Sequence, residues 1–429
     1  MDMDFRKGET DLIRLLQNKD LEAAANIVAF AYPGMNIQTP EKKVEFIGRL
    51  TKEQEEQNGI QYFGYFDKEE ELLGMYRLHD FECNVNGKFQ RIFGIGMVAV
   101  HLLHKKEKIA FTLLSHFHQY ASQENVSLVS LYPFNPSFYR NMGYGYGPMK
   151  YEFKIKPNAL VSNGEKGLVK FLSPKDEEAI VSLYNDYAQK NHGMIKRTWT
   201  ERQRIKNGVT NYVGVIENGQ LLGALAFTLE TVKDSHFLHQ YMIVHEWIWT
   251  DPIAYKQIAA WLYSQQDQVD RIIFRTNDPS FLYTLSNPLN GSNHLIPSVY
   301  HEVATTGAGL MYRITNVVDF IHEMNFRQLR RPDEYIRLLI EIEDTFLIEQ
   351  NGLYEVIYNG DFWNATKISN INEETTIKIG IHDLSSWWMG CISVEALHNF
   401  GVISIGDIDI KKLDEWFKPK QSPICFTSF

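Results

Sequence analysis

Cysteine is scarce in this 429-residue sequence: Cys83, Cys391 and Cys425 stand far apart, with no Cys-x-x-Cys pair. An odd, dispersed set excludes a disulfide framework and a zinc ribbon. Long apolar runs are missing too. No stretch approaches the ~20 uncharged apolar residues that cross a bilayer. The opening MDMDFRKGET lacks the apolar core of a secretory leader. The expectation is a cytoplasmic protein with no membrane partner. There is no basic excess either: 43 Lys and Arg stand against 53 Asp and Glu, a net charge of −10. That argues against a nucleic-acid partner. It favours cationic ligands only weakly, and ordinary soluble enzymes share it. HExxH, GxSxG and Walker loops are absent, and no metal is expected.

What is present is material for sizeable cores: 44% apolar and 13% aromatic residues. At roughly 150 residues per domain, the length predicts about three domains. Residues 1–155 read as mixed α/β. Asp20 is placed to cap a helix through Leu21, Ala24, Ile27, Val28 and Ala31, stopped by Pro33-Gly34. Strand patterns follow at 61–66, 72–81 and 89–100, with Asn86-Gly87 as a hairpin turn. The polar segment 101–108 leads into a helical pattern from Ile109, then a strand at 126–132.

Residues 156–166 read as a linker. Residues 156–300 then repeat the plan. There is a helix over 177–190, a hairpin around Asn218-Gly219, a strand at 243–249, a helix from Ile258 and a strand at 271–275. Val100 and Ile109 bracket an eight-residue loop, as do Trp249 and Ile258, which suggests a diverged internal duplication. Residues 301–429 read as α+β. Strands are expected at 346–349, 353–358 and 375–381, and short helices at 383–389, 393–399 and 410–417.

The stretch GIGMVAVHLLHKKEKIAFTLL, residues 94–114, carries the strongest chemical signal. A buried strand ends at Val100, and a loop with Lys105, Lys106 and Lys108 opens a helix. Unpaired amides and the helix dipole make such a start an anion site suited to a pyrophosphate. By itself the segment is equally a solvated basic loop.

These residues resemble the acyl-CoA motif of the GNAT acetyltransferase superfamily, Arg/Gln-x-x-Gly-x-Gly/Ala. Here it reads Lys105-Lys106-Glu107-Lys108-Ile109-Ala110, with Ala110 in pattern and Lys108 replacing the central glycine. FYRNMGYGYG, residues 138–147, resembles the later GNAT motif. The resemblance implies that Tyr139 protonates the coenzyme A thiolate and that Asn135 bonds the pantetheine arm. It also implies pantetheine pairing along Met97, Val98, Ala99 and Val100, and pyrophosphate binding at Lys105, Lys106, Lys108, Ile109 and Ala110.

The segment DLSSWWMGCISVEALHNFG and the ending SPICFTSF resemble the sterol-carrier-like domain that closes the Eis (enhanced intracellular survival) acetyltransferases. The opening DLEAAANIVAFAYPG is similar to that family's first helix, which borders the amine site. The implied architecture is tandem GNAT domains of mixed sheets flanked by helices, followed by an α+β sterol-carrier-like domain. In that family the chain's terminal carboxylate serves as base, which falls here on Phe429. The uncharged side chains from Ile424 to Phe429 fit a docked tail rather than a frayed one. An α-carboxylate, of reference pKa ~3.5, is a weak base unless desolvation raises it.

The loop of the second copy, TDPIAYKQ, has one lysine, an aspartate, a proline and no glycine, so no cofactor is expected there. Trp387-Trp388 fits core packing better than a lipid pocket. His101 and His104 are reserve bases, more simply surface residues.

The expected activity is acetyl-CoA-dependent N-acetylation of a primary amine by direct attack. The resemblance suggests an aminoglycoside, polyamine or lysine amine as acceptor, and a homo-oligomer, a hexamer in the family. The alternative is a non-catalytic acyl-CoA or small-ligand-binding protein on the same scaffold, for which Lys108 is the best support.

Overall fold

A computed structural model describes residues 12–56, 59–162, 164–232, 235–236, 238–297, 299–324, 335–369 and 376–429. The leader reading of residues 1–10 falls outside them, as does Thr375 at the start of an expected strand. Among the described residues, no helix is long and apolar enough to cross a membrane.

The first part of the chain forms β1 (Ile13–Leu15), α1 (Leu21–Ala31), α2 (Pro40–Glu55), β2 (Ile60–Phe66), β3 (Leu72–Val85), β4 (Lys88–Val100), α3 (Ile109–Gln123), β5 (Leu128–Leu131), α4 (Pro136–Arg140) and β6 (Gly145–Tyr146). The middle forms β7 (Met149–Ile155), β8 (Val169–Leu172), α5 (Glu177–Lys190), α6 (Trp199–Lys206), β9 (Asn211–Glu217), β10 (Gln220–Thr231), β11 (Gln240–Trp249), α7 (Pro252–Tyr263), β12 (Arg271–Thr276), β13 (Leu295–Ile296), β14 (Tyr300–His301) and β15 (Thr305–Ala308). Then come β16 (Met311–Ile314), α8 (Val317–Glu323), β17 (Ile336–Glu343), β18 (Gly352–Tyr358), β19 (Trp363–Ile368), β20 (Ile377–Gly380), α9 (Ile381–Trp388), α10 (Val394–Asn399), β21 (Ser404–Ile405) and α11 (Ile410–Phe417).

Two seven-stranded sheets repeat one plan, in the orders β1-β2-β3-β4-β5-β16-β6 and β15-β7-β12-β11-β10-β9-β8. Each is antiparallel except for one central parallel pair, β4 with β5 and β11 with β12. Both hairpins turn on Asn-Gly with positive φ, +52° and +89° at Asn86-Gly87 and +50° and +80° at Asn218-Gly219. Those values suit the tight turn that matches strand twist. The sheets also exchange strands. β7, which follows the first unit, pairs with β12, and β16, which follows the second, pairs with β5. The last unit is a five-stranded sheet, β19-β18-β17-β20-β21, with helices packed on it. Its core is continuous with the first sheet: Phe81, Cys83, Leu128 and Tyr312 share one apolar cluster with Trp387, Trp388 and Phe417.

Several expectations are corrected. Residues 250–257 are not a loop, because α7 already begins at Pro252. The Asp251 carboxylate accepts the amides of Ile253 and Ala254 at 2.8 and 2.9 Å, and proline has no amide to lose at a first helical position. Residues 346–349 are a turn, not a strand: Asp344 accepts the amides of Phe346 and Leu347, and the strand lies upstream as β17. Asp20 stands at the N-cap position of α1 as expected, but its carboxylate bonds no α1 amide and pairs instead with Arg14 at 2.7 Å. The segment 156–166 is no open linker, since Pro157, Ala159 and Leu160 are buried and Leu160 bridges to Leu285. Trp387 and Trp388 are core residues, both 0% exposed, with Trp388 stacked between Phe320 and Phe417.

Candidate active site

The site is built where β4 leaves β5. The two pair in parallel at Phe93, Gly94 and Ile95 and then separate, because β5 ends at Leu131. On its other side β4 stays bound to β3, with a register shift between the Met75 and Arg77 pairings and φ +50° at Met97. The edge of β4 from Gly96 to Val100 thus has no strand partner toward β5 among the described residues. The Tyr32 hydroxyl, at the end of α1, donates to the Val98 carbonyl at 2.9 Å. Ala99 and Val100 are buried, Met97 and Val98 half-buried.

Beyond Val100 the chain turns into α3. Lys105, Lys106 and Lys108 are exposed, Ile109 is buried against the sheet and Ala110 is half-buried. Lys106 and Lys108 have φ of +72° and +62°. At Lys108, a left-handed backbone costs a lysine on the order of 1 kcal/mol that glycine avoids. Among the described residues no side chain caps the first amides of α3. At the matching start of α7 the Asp251 carboxylate holds those amides, as described above. An exposed basic loop with an uncapped helix start fits a pyrophosphate, and the free β4 edge fits an amide-bearing arm.

The C-terminal tail runs between the first two units. The Ile424 amide donates to the His192 carbonyl at 2.9 Å, the Cys425 amide to Asn277 Oδ1 at 3.2 Å, and the Tyr132 hydroxyl to the Thr427 carbonyl at 2.9 Å. Thr427 is 2% exposed. The Phe429 ring packs edge-on to Phe81, Tyr132 and His79 at 4.9, 5.2 and 5.4 Å. Two glycines make room for it. A β-carbon at Gly94 would lie 2.7 Å from the Phe429 ring, and one at Gly96 3.2 Å from the Phe429 carboxyl carbon. The last residue therefore stands over β4 where the free edge begins.

Tyr139, in α4, is 3% exposed and packs edge-on to Phe134, Phe138 and Tyr144. Burial pushes its phenol pKa up, and the nearby Tyr32 phenol adds to the shift. Asn135 caps α4, its Oδ1 accepting the Phe138 amide at 3.3 Å and the Ser137 hydroxyl at 2.8 Å. His101 accepts the Leu103 amide and His104 pairs with Glu107. Both stay beside the α3 loop, away from the cleft that holds Phe429.

That cleft encloses about 440 Å³ and is lined by Phe429, by Arg77 and His79 of β3, by α2 and by α6. Arg77 and His79 escaped the sequence reading. A signal existed: they are two residues apart in an apolar strand, hence on one face. His79 is 5% exposed, and its Nε2 has no hydrogen-bond partner among the described residues and stands 3.7 Å from where a Gly96 β-carbon would be. Burial, with Arg77 nearby, holds its imidazole well below the usual range. Tyr32, hidden at the end of the α1 pattern, was also missed. Among the described residues no cluster of His, Cys, Asp and Glu suits a metal ion.

Three family models account for most of the chain. Two for an acetyltransferase (GNAT) domain match residues 12–147 and 193–314, and one for a sterol carrier protein domain matches residues 317–426. Solved structures share the whole architecture. A conserved protein of unknown function from Enterococcus faecalis, described as a probable N-acyltransferase, is 18% identical with a TM-score of 0.76, covering 97% of this chain and 99% of its own. A GCN5-related N-acetyltransferase from Anabaena variabilis is 15% identical with a TM-score of 0.79, covering 97% and 100%. Eis1 from Mycobacterium abscessus is 16% identical with a TM-score of 0.71, covering 97% and 99%. At such identities the likeness is one of fold. The curated proteins gave no match.

Proposed function

This chain is built of two acetyltransferase (GNAT) domains closed by a sterol carrier protein domain, and from that premise we propose that it is an acetyl-CoA-dependent N-acetyltransferase acting on a primary amine. The observation that carries the reading is the Phe429 carboxyl group over Gly96, at the start of the free β4 edge. When bound, acetyl-CoA supplies a thioester carbonyl as electrophile. The β4 backbone at Met97, Val98, Ala99 and Val100 binds the amide-bearing arm, with Asn135 beside it. Lys105, Lys106, Lys108 and the first amides of α3, from Ile109 and Ala110, bind the pyrophosphate. The Phe429 carboxylate accepts the proton of the acceptor ammonium, directly or through water. Tyr139 holds a proton at its hydroxyl for the departing sulfur; its raised pKa keeps that proton in place until a thiolate forms. An amine-panel screen for free thiol release tests the activity. Release with no amine in the panel would overturn it.

Two expected results follow from the binding half of the reading and a third from the resemblance. Lys106→Glu weakens acetyl-CoA binding, and wild-type affinity falls as salt rises, because the loop acts through charge. Calorimetry with neither effect would remove the loop's role. Titration gives one acetyl-CoA per chain, bound to residues 1–155, because Asp251 and Pro252 take the place of free amides at the start of α7. A stoichiometry of two would defeat that division of labour. The assembly is expected to be a homo-oligomer, a hexamer by resemblance; a monomer mass by light scattering at working concentration would count against it.

A further inference from the structure

We propose that the acceptor amine also carries an anionic group, a carboxylate or a phosphate, and that the mouth of the cleft recognises this group through Arg49, Lys52 and Arg204. The inference rests on the reading of the cleft as the acceptor site and narrows its substrate class. It runs against the charge of the chain as a whole, which is acidic.

Two acids at the cleft wall, Asp80 and Glu82, are held in ion pairs, while Glu201 and Glu53 accept from neutral donors. Asp80 holds Arg91 at 2.8 Å, Glu82 holds Lys196 at 2.8 Å, and Glu201 accepts the amide and hydroxyl of Thr198 at 2.9 and 3.0 Å. Glu53, 2% exposed at the back, accepts from the Tyr62 hydroxyl. The cations at the mouth are not engaged in this way. Arg49 and Arg204 are exposed and make no ion pair among the described residues; Arg49 lies over the Phe46 ring at 4.9 Å. Lys52 has only a loose 3.7 Å contact with the exposed Glu56, and its ammonium stands 5.7 Å from the Trp199 ring.

The exposed rim of the cleft thus carries guanidinium groups without ion pairs among the described residues, while its floor holds the Phe429 carboxyl group together with Arg77, cross-strand from Gly96. A carboxyl group, Phe429, stands over the β4 floor, where an ammonium must come to react. The exposed Arg49 and Lys52 of α2 and Arg204 of α6 stand at the entrance. An acceptor with an amine at one end and an anion at the other satisfies both ends. A diamine meets like charge at the mouth, which costs affinity and on-rate.

The test is steady-state thiol release by the full chain with matched acceptors: 1,4-diaminobutane against 4-aminobutanoate and 3-aminopropylphosphonate. Expected is a kcat/KM at least about tenfold higher for the two anionic acceptors at low salt, with the gap closing near 0.5 M salt, where charges are screened within ~4 Å. The variant R49E/R204E should reverse the preference while keeping acetyl-CoA affinity and melting, since both residues are exposed and line a cleft that the α3 loop does not enter. Comparable or higher kcat/KM for the diamine in the wild type overturns the inference and leaves N-acetylation standing. A preference unchanged in the double variant overturns the role of these two arginines. Thiol release with none of the three acceptors, nor with any amine of the wider panel, takes down the acceptor-site reading itself and this inference with it.

Discussion

Extending the chain past Phe429 with a short tag should lower turnover by ~100-fold or more while acetyl-CoA affinity and melting stay at their wild-type values. A tag turns the Phe429 carboxylate into a neutral amide at the point where it stands over Gly96. Misplacing a reacting group by about 1 Å already costs ~100-fold. Deleting Phe429 should be as damaging, since it withdraws the carboxylate by up to ~3.5 Å. Phe429→Leu keeps the carboxylate and should be milder. Gly94→Ala probes the same geometry without touching the chain end. Its β-carbon would fall 2.7 Å from both the Phe429 and Phe81 rings, so the tail must shift. Tyr139→Phe should also depress kcat with acetyl-CoA binding near wild type, because its phenol acts late. Normal turnover of the tagged enzyme would eliminate Phe429 as base. His79, buried beside the same carboxyl group, would then be a stronger candidate than His101 or His104, which lie elsewhere.

The second large effect is on stability. Arg313 of β16 and Asp344 are both 0% exposed and pair at 2.6 Å, with Arg313 also donating to the Met142 carbonyl. The pair ties the exchanged strand of the first sheet to the turn after β17. Arg313→Met leaves Asp344 charged and alone in the core, which costs about 3–5 kcal/mol. Adding Asp344→Asn should recover much of the loss. An asparagine oxygen still accepts the amides of Phe346 and Leu347, now with no charge to bury. Thermal melting of the single and double variants measures this. A double variant less stable than the wild type would show that the pair is net stabilising, and one less stable than Arg313→Met would show that the carboxylate is needed for the Phe346 and Leu347 amides rather than for Arg313. Gly143 belongs to the same arrangement: a β-carbon there would lie 1.4 Å from an Arg313 nitrogen, so any side chain at that position displaces the guanidinium.

Much of the local structure was legible because its causes are local. The Asn-Gly pairs announced both hairpins, since few residues take positive φ at two successive positions. The spacing of Ile109, Leu113 and Phe117 announced α3, all three being buried on one face. Where local reading failed, a short-range competitor had won. Asp251 with Pro252 started α7 inside the expected loop, and Asp344 gathered two amides into a turn where an apolar run suggested a strand. α2 went unread because its apolar face is thin: only Phe46, Leu50 and the polar Glu53 are buried.

The sequence by itself determined the α/β and α+β character of the units, their duplication, the basic loop before α3 and the uncharged tail. Each is written in neighbouring residues, through period, turn chemistry or composition. Only the tertiary structure decided that β7 and β16 cross between sheets, that Tyr132 holds the carbonyl of Thr427 from 295 residues away, and that an acidic chain turns exposed cations of α2 and α6 toward its cleft. These depend on which distant groups meet and which charges cancel when they do. No local pattern encodes that, because a side chain's partner is chosen by packing and not by its place in the sequence.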